Sequence, residues 1–270
     1  MKIGIAGLGL IGGSLALALR ERHEVIGYDA DATVRVDVAR SGIRVMATIE
    51  ELVPADAIVV ATPMPAIVPT LERLAAHADG GLLLDTASLK RGVVDFAARA
   101  PERARIVGGH PMAGATSSGF SAADPELFRD RPFLLVPTPR SDDRAMALAG
   151  RIVRDAGAVV TVCSAEVHDR AMARLVSAPL ATAAALAVAG ADAGDLLAAA
   201  GPGFRDSTRL AETPADLAVE LLLGNPGDAR AAIGSVIEAL EQLAGALDRG
   251  DREYVHNILV AARQVRSQLG

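Results

Sequence analysis

The run Gly108-Gly109-His110-Pro111-Met112-Ala113-Gly114 sets one histidine between glycines and a proline, at the end of an apolar stretch. An imidazole changes charge near neutral pH, so an exposed one at a strand end can take a proton from a substrate. A lone histidine serves structure as readily as chemistry. Here its place at the carboxyl end of a strand, where doubly wound sheets bind ligands, favours chemistry. Asp85-Thr86-Ala87-Ser88-Leu89-Lys90 follows the preceding strand-like run, so Ser88 would face the same crevice; helix capping is the competing role for Asp85 and Ser88. In Gly203-Phe204-Arg205-Asp206-Ser207-Thr208-Arg209, Arg205 and Arg209 fall four apart, on one face of a helix. Their guanidinium forks suit a substrate carboxylate; a solvated face with Arg–Asp pairing is the plainer alternative.

A second constellation lies at the start. Gly7-Leu8-Gly9-Leu10-Ile11-Gly12 follows the strand pattern Ile3–Ala6 and opens an apolar helix. Gly7 suits a tight turn, Gly9 the approach of a pyrophosphate, and Gly12 close helix–strand packing. Backbone N–H groups around Leu10 and Ile11 would then meet phosphate at the positive end of a helix. Asp29 closes the next strand about 20 residues on, where a carboxylate binds a ribose 2′-hydroxyl and repels a 2′-phosphate. NAD is therefore expected over NADP, with Arg35 the nearby group that would suit a phosphate. Ala61-Thr62-Pro63 ends a further strand and would place Thr62 beside the cofactor.

These residues need a scaffold. Ile3–Ala6, Glu24–Tyr28, Ala57–Ala61, Gly81–Leu84, Arg105–Val107, Phe133–Val136 and Ala158–Val162 read as strands, with helical spacing in most of the gaps. That alternation predicts an α/β fold, a Rossmann-type doubly wound parallel sheet with helices on both faces, over residues 1–163. Beyond it the pattern is helical at about 164–189, 192–200, 203–211, 214–223, 227–247 and 251–268, broken by Gly- and Pro-containing loops. Residues 164–270 thus form an expected all-α domain, with Ser164 capping its first helix.

Bulk properties narrow the classes. The 270 residues are 51% hydrophobic and 22% charged, with a formal net charge of −6. This supports a sizeable core and argues against a broad nucleic-acid surface. The single cysteine, Cys163, excludes an intrachain disulfide or a multi-cysteine metal cluster and reads as a buried strand residue. No metal site is expected. The start of the chain carries no secretory pattern. The apolar stretch Leu175–Ala200 is rich in alanine, broken by Pro179, Gly190, Asp192, Gly194 and Asp195, and lacks aromatic anchors, so a packed interior helix is expected rather than a membrane span. A cytoplasmic location follows as the default. Of the 27 lysines and arginines, only Lys2 and Lys90 are lysine, which makes Lys90 notable.

Taken together, the segments resemble the prephenate/arogenate dehydrogenase family. Gly108–Gly119, with Leu127-Phe128 and Val136-Pro137-Thr138, is similar to its central motif; Asp85–Lys90 is similar to its serine-lysine motif. His168-Asp169 and Gly203–Arg209 match its helical-domain motifs in order. The resemblance covers nearly the whole chain. It implies NAD-dependent oxidative decarboxylation of prephenate to 4-hydroxyphenylpyruvate, or of arogenate to tyrosine, in tyrosine biosynthesis. It further implies that His110 draws the proton from the ring hydroxyl and that Ser88 orients hydroxyl and nicotinamide. Arg209, and less directly Arg205, would bind a carboxylate, and the helical domain would form a homodimer. Activity should fall as His110 protonates. The chain departs from the family pattern at Ala178 and Ala181, where many members carry histidine, at Thr116, often acidic in prephenate-specific members, and at Ala218, often tryptophan. Thr116 is therefore a candidate substrate contact, and an amino-substituted prephenate is an alternative substrate. A β-hydroxyacid dehydrogenase or imine reductase usually carries a catalytic lysine or aspartate on its long interdomain helix; His168–Ala184 has no lysine and only Asp169. A non-catalytic NAD-binding sensor is the remaining alternative, against which His110 stands with Pro111 and Gly114 intact.

Overall fold

The computed structural model describes residues 1–114 and 117–268, so Thr116 lies outside the described residues. The chain divides into two compact units, Met1–Met172 with Glu212–Asn225, and Ala173–Ala211 with Pro226–Gly270.

The first unit is built in the order β1 (Lys2–Ala6), α1 (Leu10–Leu19), β2 (Glu24–Tyr28), α2 (Ala32–Arg40), β3 (Arg44–Val45), β4 (Ala57–Val60), α3 (Met64–Ala75), β5 (Leu82–Asp85), α4 (Arg91–Arg99), β6 (Arg105–Pro111), β7 (Pro132–Pro137), α5 (Asp143–Asp155), β8 (Val159–Val162) and α6 (Ala165–Met172). The strands form one eight-stranded sheet in the order β3-β2-β1-β4-β5-β6-β7-β8. Its first six strands have the dinucleotide-binding order, reversing direction of travel at β1. Successive residues of a strand point to opposite faces. In β4, Ala57 and Val59 enter one apolar core while Ile58 and Val60 enter the other; in β5, Leu82 and Leu84 oppose Leu83. Both faces are covered, which is why these strands read as unbroken apolar runs.

The sheet is mostly, not wholly, parallel. β7 pairs antiparallel with β6, and β8 then runs parallel to β7. A parallel return needs a crossover, usually a helix. Among the described residues, the 112–131 connection has a short 3-10 helix at Phe120–Ala122 and no α-helix, and the chain comes back in the opposite sense. β3, with two residues, is too short to leave an apolar signature. At the far edge Val159 and Val162 are exposed, and Cys163, expected to be buried in a strand, is half-buried just past β8. Burial pushes its thiol up from the ordinary value, so it is not primed as a nucleophile.

The expected helix at 164–189 is interrupted. Ser164 Oγ accepts a hydrogen bond from Val167 N–H at 3.3 Å and caps α6; a π-helical turn follows at Ala173–Ser177, then α7 (Ala178–Gly190). Ala191–Ala199 is 3-10 rather than α, broken at Gly194. The run Ala165–Ala199 is long and apolar enough to cross a membrane by length and composition, a test that core helices also pass. The remaining helices are α8 (Pro202–Thr208), α9 (Ala215–Leu223), α10 (Pro226–Asp248) and α11 (Arg252–Ser267). α9 belongs to the first unit. The second unit has a small alanine core of Ala173, Ala178 and Ala232, while Val188, Leu240, Leu247, Leu259 and Val265 are exposed.

Candidate active site

Sheet order puts five of the residues singled out above in sequence along one edge. Asp29 follows β2, the glycine loop follows β1, Thr62 follows β4, Ser88 follows β5, and His110 is the penultimate residue of β6. These strands are parallel, so all five sit at carboxyl ends. At ~4.8 Å per strand, His110 is about 14 Å along the edge from the glycine loop. An extended dinucleotide spans that scale.

The glycine loop is shaped for close approach. Gly7 has φ +92°, a conformation costly for other residues, and a Cβ on Gly12 would come within 1.8 Å of the Gly7 carbonyl oxygen. A Cβ on Gly9 would meet nothing within 4 Å, so the backbone there borders open space. Gly9 is the N-cap of α1 and offers no side-chain cap, leaving the helix start to receive an anion. A cleft of about 300 Å³ adjoins the loop, lined in part by Gly7, Tyr28, Asp29, Thr62, Pro63 and Arg73. The Thr62 hydroxyl is buried with no hydrogen-bond partner, as a group awaiting a ligand would be. One Asp29 carboxylate oxygen accepts from Leu8 N–H at 2.7 Å and the other from Asp31 N–H at 2.9 Å. Arg35 turns its guanidinium onto the Asp29 and Ala30 carbonyls and lies over the Tyr28 ring, occupied by the protein itself. These residues fit a dinucleotide with a free 2′-hydroxyl.

His110 differs from expectation in one respect: it is only 7% exposed. The cause is α6, which sets His168 against it with ring centroids 5.1 Å apart. His110 Nδ1 and His168 Nε2 are 2.9 Å apart, and His168 Nδ1 lies 2.7 Å from an Asp169 oxygen. Nε2 of His110 has no protein partner among the described residues. Burial, reinforced by the charge of Lys90 and by His168, pushes the His110 pKa down to about 3, with Asp169 opposing. The ring is therefore neutral, as a proton acceptor must be.

Lys90 and Asp169 fasten this corner. Lys90 is fully buried; its ammonium pairs with the Asp85 carboxylate and donates to the Gly109 carbonyl at 2.6 Å. Burial pulls its pKa below the ordinary value, against the Asp85 charge. Asp85 also accepts from the N–H groups of Ala87 and Gly109. A Cβ on Gly109 would come within 2.3 Å of the Asp85 carbonyl oxygen, so only glycine lets β6 lie this close. Asp169 accepts from Lys90 N–H at 2.8 Å and Arg91 N–H at 2.9 Å, and so caps α4 from another helix. Against the burial that works to raise it, these bonds and the one to His168 hold its carboxyl below the usual range. Asp85 and Ser88 do not cap α4, whose N-cap is Lys90. Ser88 itself is half-buried in the turn before that helix.

The Asp169–His168 pair and Lys90 had faint signals in the sequence: an adjacent His-Asp on a helix, and one of only two lysines. In the second unit, α8 ends at Thr208 and Arg209 opens a 3-10 turn, so the two arginines do not share one regular helix. Both are exposed, and neither guanidinium is in an ion pair among the described residues. Arg205 donates to the Ala200 carbonyl at 3.1 Å.

Two family profiles match the chain. The one described as "Prephenate dehydrogenase, nucleotide-binding domain" matches residues 15–162, and "Prephenate dehydrogenase, dimerization domain" matches residues 164–261. The chain is 31% identical over 279 residues to a prephenate dehydrogenase of Bacillus subtilis (strain 168), covering 98% of this chain and 75% of the relative. The crystal structure of Synechocystis arogenate dehydrogenase superposes with a TM-score of 0.88 at 29% identity, covering 100% of both chains. That of prephenate dehydrogenase from A. aeolicus, in complex with hydroxyphenyl propionate and NAD+, gives a TM-score of 0.92 at 25% identity, covering 100% of this chain and 98% of the other.

Proposed function

The chain belongs to the prephenate dehydrogenase family, and from that premise we propose that it oxidatively decarboxylates prephenate or arogenate with NAD, in tyrosine biosynthesis. The observation that carries the reading is His110: a neutral imidazole with an open Nε2, at the carboxyl edge of the sheet that holds the glycine loop. NAD supplies the hydride acceptor when bound. Gly7, Gly9, Leu10, Ile11 and Gly12 hold its pyrophosphate by backbone, Asp29 its adenine ribose, and Thr62 and Ser88 the nicotinamide end.

His110 accepts the proton of the substrate's ring hydroxyl while hydride leaves the same carbon. The bond to the ring carboxylate then breaks, carbon dioxide departs, and its electron pair completes the aromatic ring. Ser88 orients the hydroxyl. Arg209, and less directly Arg205, receives a substrate carboxylate, for which exposed guanidinium groups with no ion-pair partner among the described residues are suited. Thr116 is proposed as a further contact. The reading extends to a soluble cytoplasmic homodimer formed through the helical residues 164–270, supported by the dimerization-domain match and the exposed apolar side chains there.

Ala178 and Ala181 stand where many members carry histidine, and Ala218 where prephenate-specific members often carry tryptophan, so the proposal covers prephenate, arogenate and an amino-substituted prephenate, which share the same ring chemistry. The experiment is a side-by-side assay of prephenate and arogenate with NAD and NADP, followed at 340 nm. Turnover with NAD and at least one of the two substrates is expected. Tight NAD binding without turnover of either would favour the sensor alternative.

A further inference from the structure

We propose that His168 and Asp169 are positioning residues that hold His110 in one tautomer, with its proton on Nδ1, so that Nε2 is the nitrogen that takes the substrate proton. The inference deepens the reading of His110 as base and rests on it. It follows from counting donors. Asp169 accepts from two backbone N–H groups, Lys90 at 2.8 Å and Arg91 at 2.9 Å, which can only donate. It is thereby an ionised acceptor, and the 2.7 Å contact to His168 Nδ1 requires that nitrogen to carry a proton. With that nitrogen as the only protonated one on its ring, His168 presents a bare Nε2. The 2.9 Å contact to His110 Nδ1 is a hydrogen bond only if His110 Nδ1 donates. Nε2 of His110 is left with its lone pair.

The three side chains are 7%, 1% and 2% exposed for His110, His168 and Asp169, so water does not scramble the assignment. The charged groups facing the cluster are Lys90 from the head of α4, with Asp85 from β5 compensating it, and Asp169 from α6. When the substrate O–H bond breaks and Nε2–H forms, the charge gained by His110 is shared through Nδ1–H and His168 towards the Asp169 carboxylate. Asp169 thus has two duties, capping α4 and fixing the ring.

The test is long-range proton–nitrogen NMR on the full chain labelled with ¹⁵N-histidine, with His110 assigned by its loss in His110→Asn. The expected spectrum at neutral pH shows His110 protonated on Nδ1 and bare on Nε2. In Asp169→Asn the tautomer should mix or invert, with kcat lower by about 100-fold and the KM for NAD nearly unchanged. Because that change also touches the α4 cap, His168→Gln and His168→Leu provide a second arm. Glutamine offers a carbonyl acceptor to Nδ1–H and should retain activity within about tenfold; leucine should lose about 100-fold. A wild-type proton on Nε2, or equal activity in the Gln and Leu variants, would overturn the proposal. A fully active His110→Asn enzyme would instead overturn the role of His110 as base, leaving the tautomer assignment to the spectrum.

Discussion

At the residue scale, the proposed chemistry rests on one imidazole whose surroundings disfavour its charged form. His110 was legible as a candidate because glycines and a proline surround it at a strand end, and its burial was not, because His168 reaches it from 58 residues away. Sequence spacing carries no signal of such a contact. The consequence is a pH dependence unlike that of a free histidine. With a pKa of about 3 against an ordinary 6.5, the ring stays neutral down to strongly acidic pH. The acid limb of kcat/KM assigned to this group should therefore lie well below pH 5, and a limb near 6.5 that vanishes on substituting His110 would contradict the burial. Stability follows the same sign. Below pH 6.5 the unfolded chain binds a proton that folded His110 refuses, so folding weakens as pH falls from 6.5 towards 3. Asp29 was legible by its distance from the glycine loop, yet its bond to Leu8 N–H adds a role in holding that loop.

At the scale of elements, seven strands were readable from apolar runs between helical segments, since a sheet covered on both faces needs such runs. The reversal at β7 was not readable, because direction depends on the path of the connection rather than on the strand's own residues. Nor was the π turn at Ala173–Ser177, which leaves composition unchanged. The junction of β5, α4 and β6 depends on a fully buried ion pair. Lys90→Met removes the ammonium and leaves the Asp85 carboxylate buried without its partner. A loss of about 3–5 kcal/mol in stability is expected from denaturant unfolding. A loss below 1 kcal/mol would mean that Asp85 finds compensation elsewhere. The lysine is legible afterwards as an exception to an arginine-rich chain: the site is closed around a narrow stem with no exposed surface, whereas a guanidinium is broader.

At the scale of the whole molecule, the two units differ in how completely they bury their own apolar groups. The sheet unit has two full cores, but the helical unit encloses little beyond alanines and exposes Val188 at 76%, Leu247 at 64% and Val265 at 63%. Helices with that distribution gain by burying the exposed side chains against another copy. Sedimentation at micromolar concentration should give a dimer of the 27.7 kDa chain; a stable monomer would contradict the proposed assembly. The helical half was legible in outline because alanine-rich periodicity and Gly-Pro loops mark it, while the assignment of α6 and α9 to the sheet unit depends on contacts that no local pattern encodes.

If His110 takes the proton as hydride departs, the turnover of His110→Asn at saturating NAD must register its loss. The expected result is a fall in kcat of about 100-fold or more, with NAD affinity unchanged because the glycine loop is untouched. Near-normal turnover in that variant would contradict that role of His110.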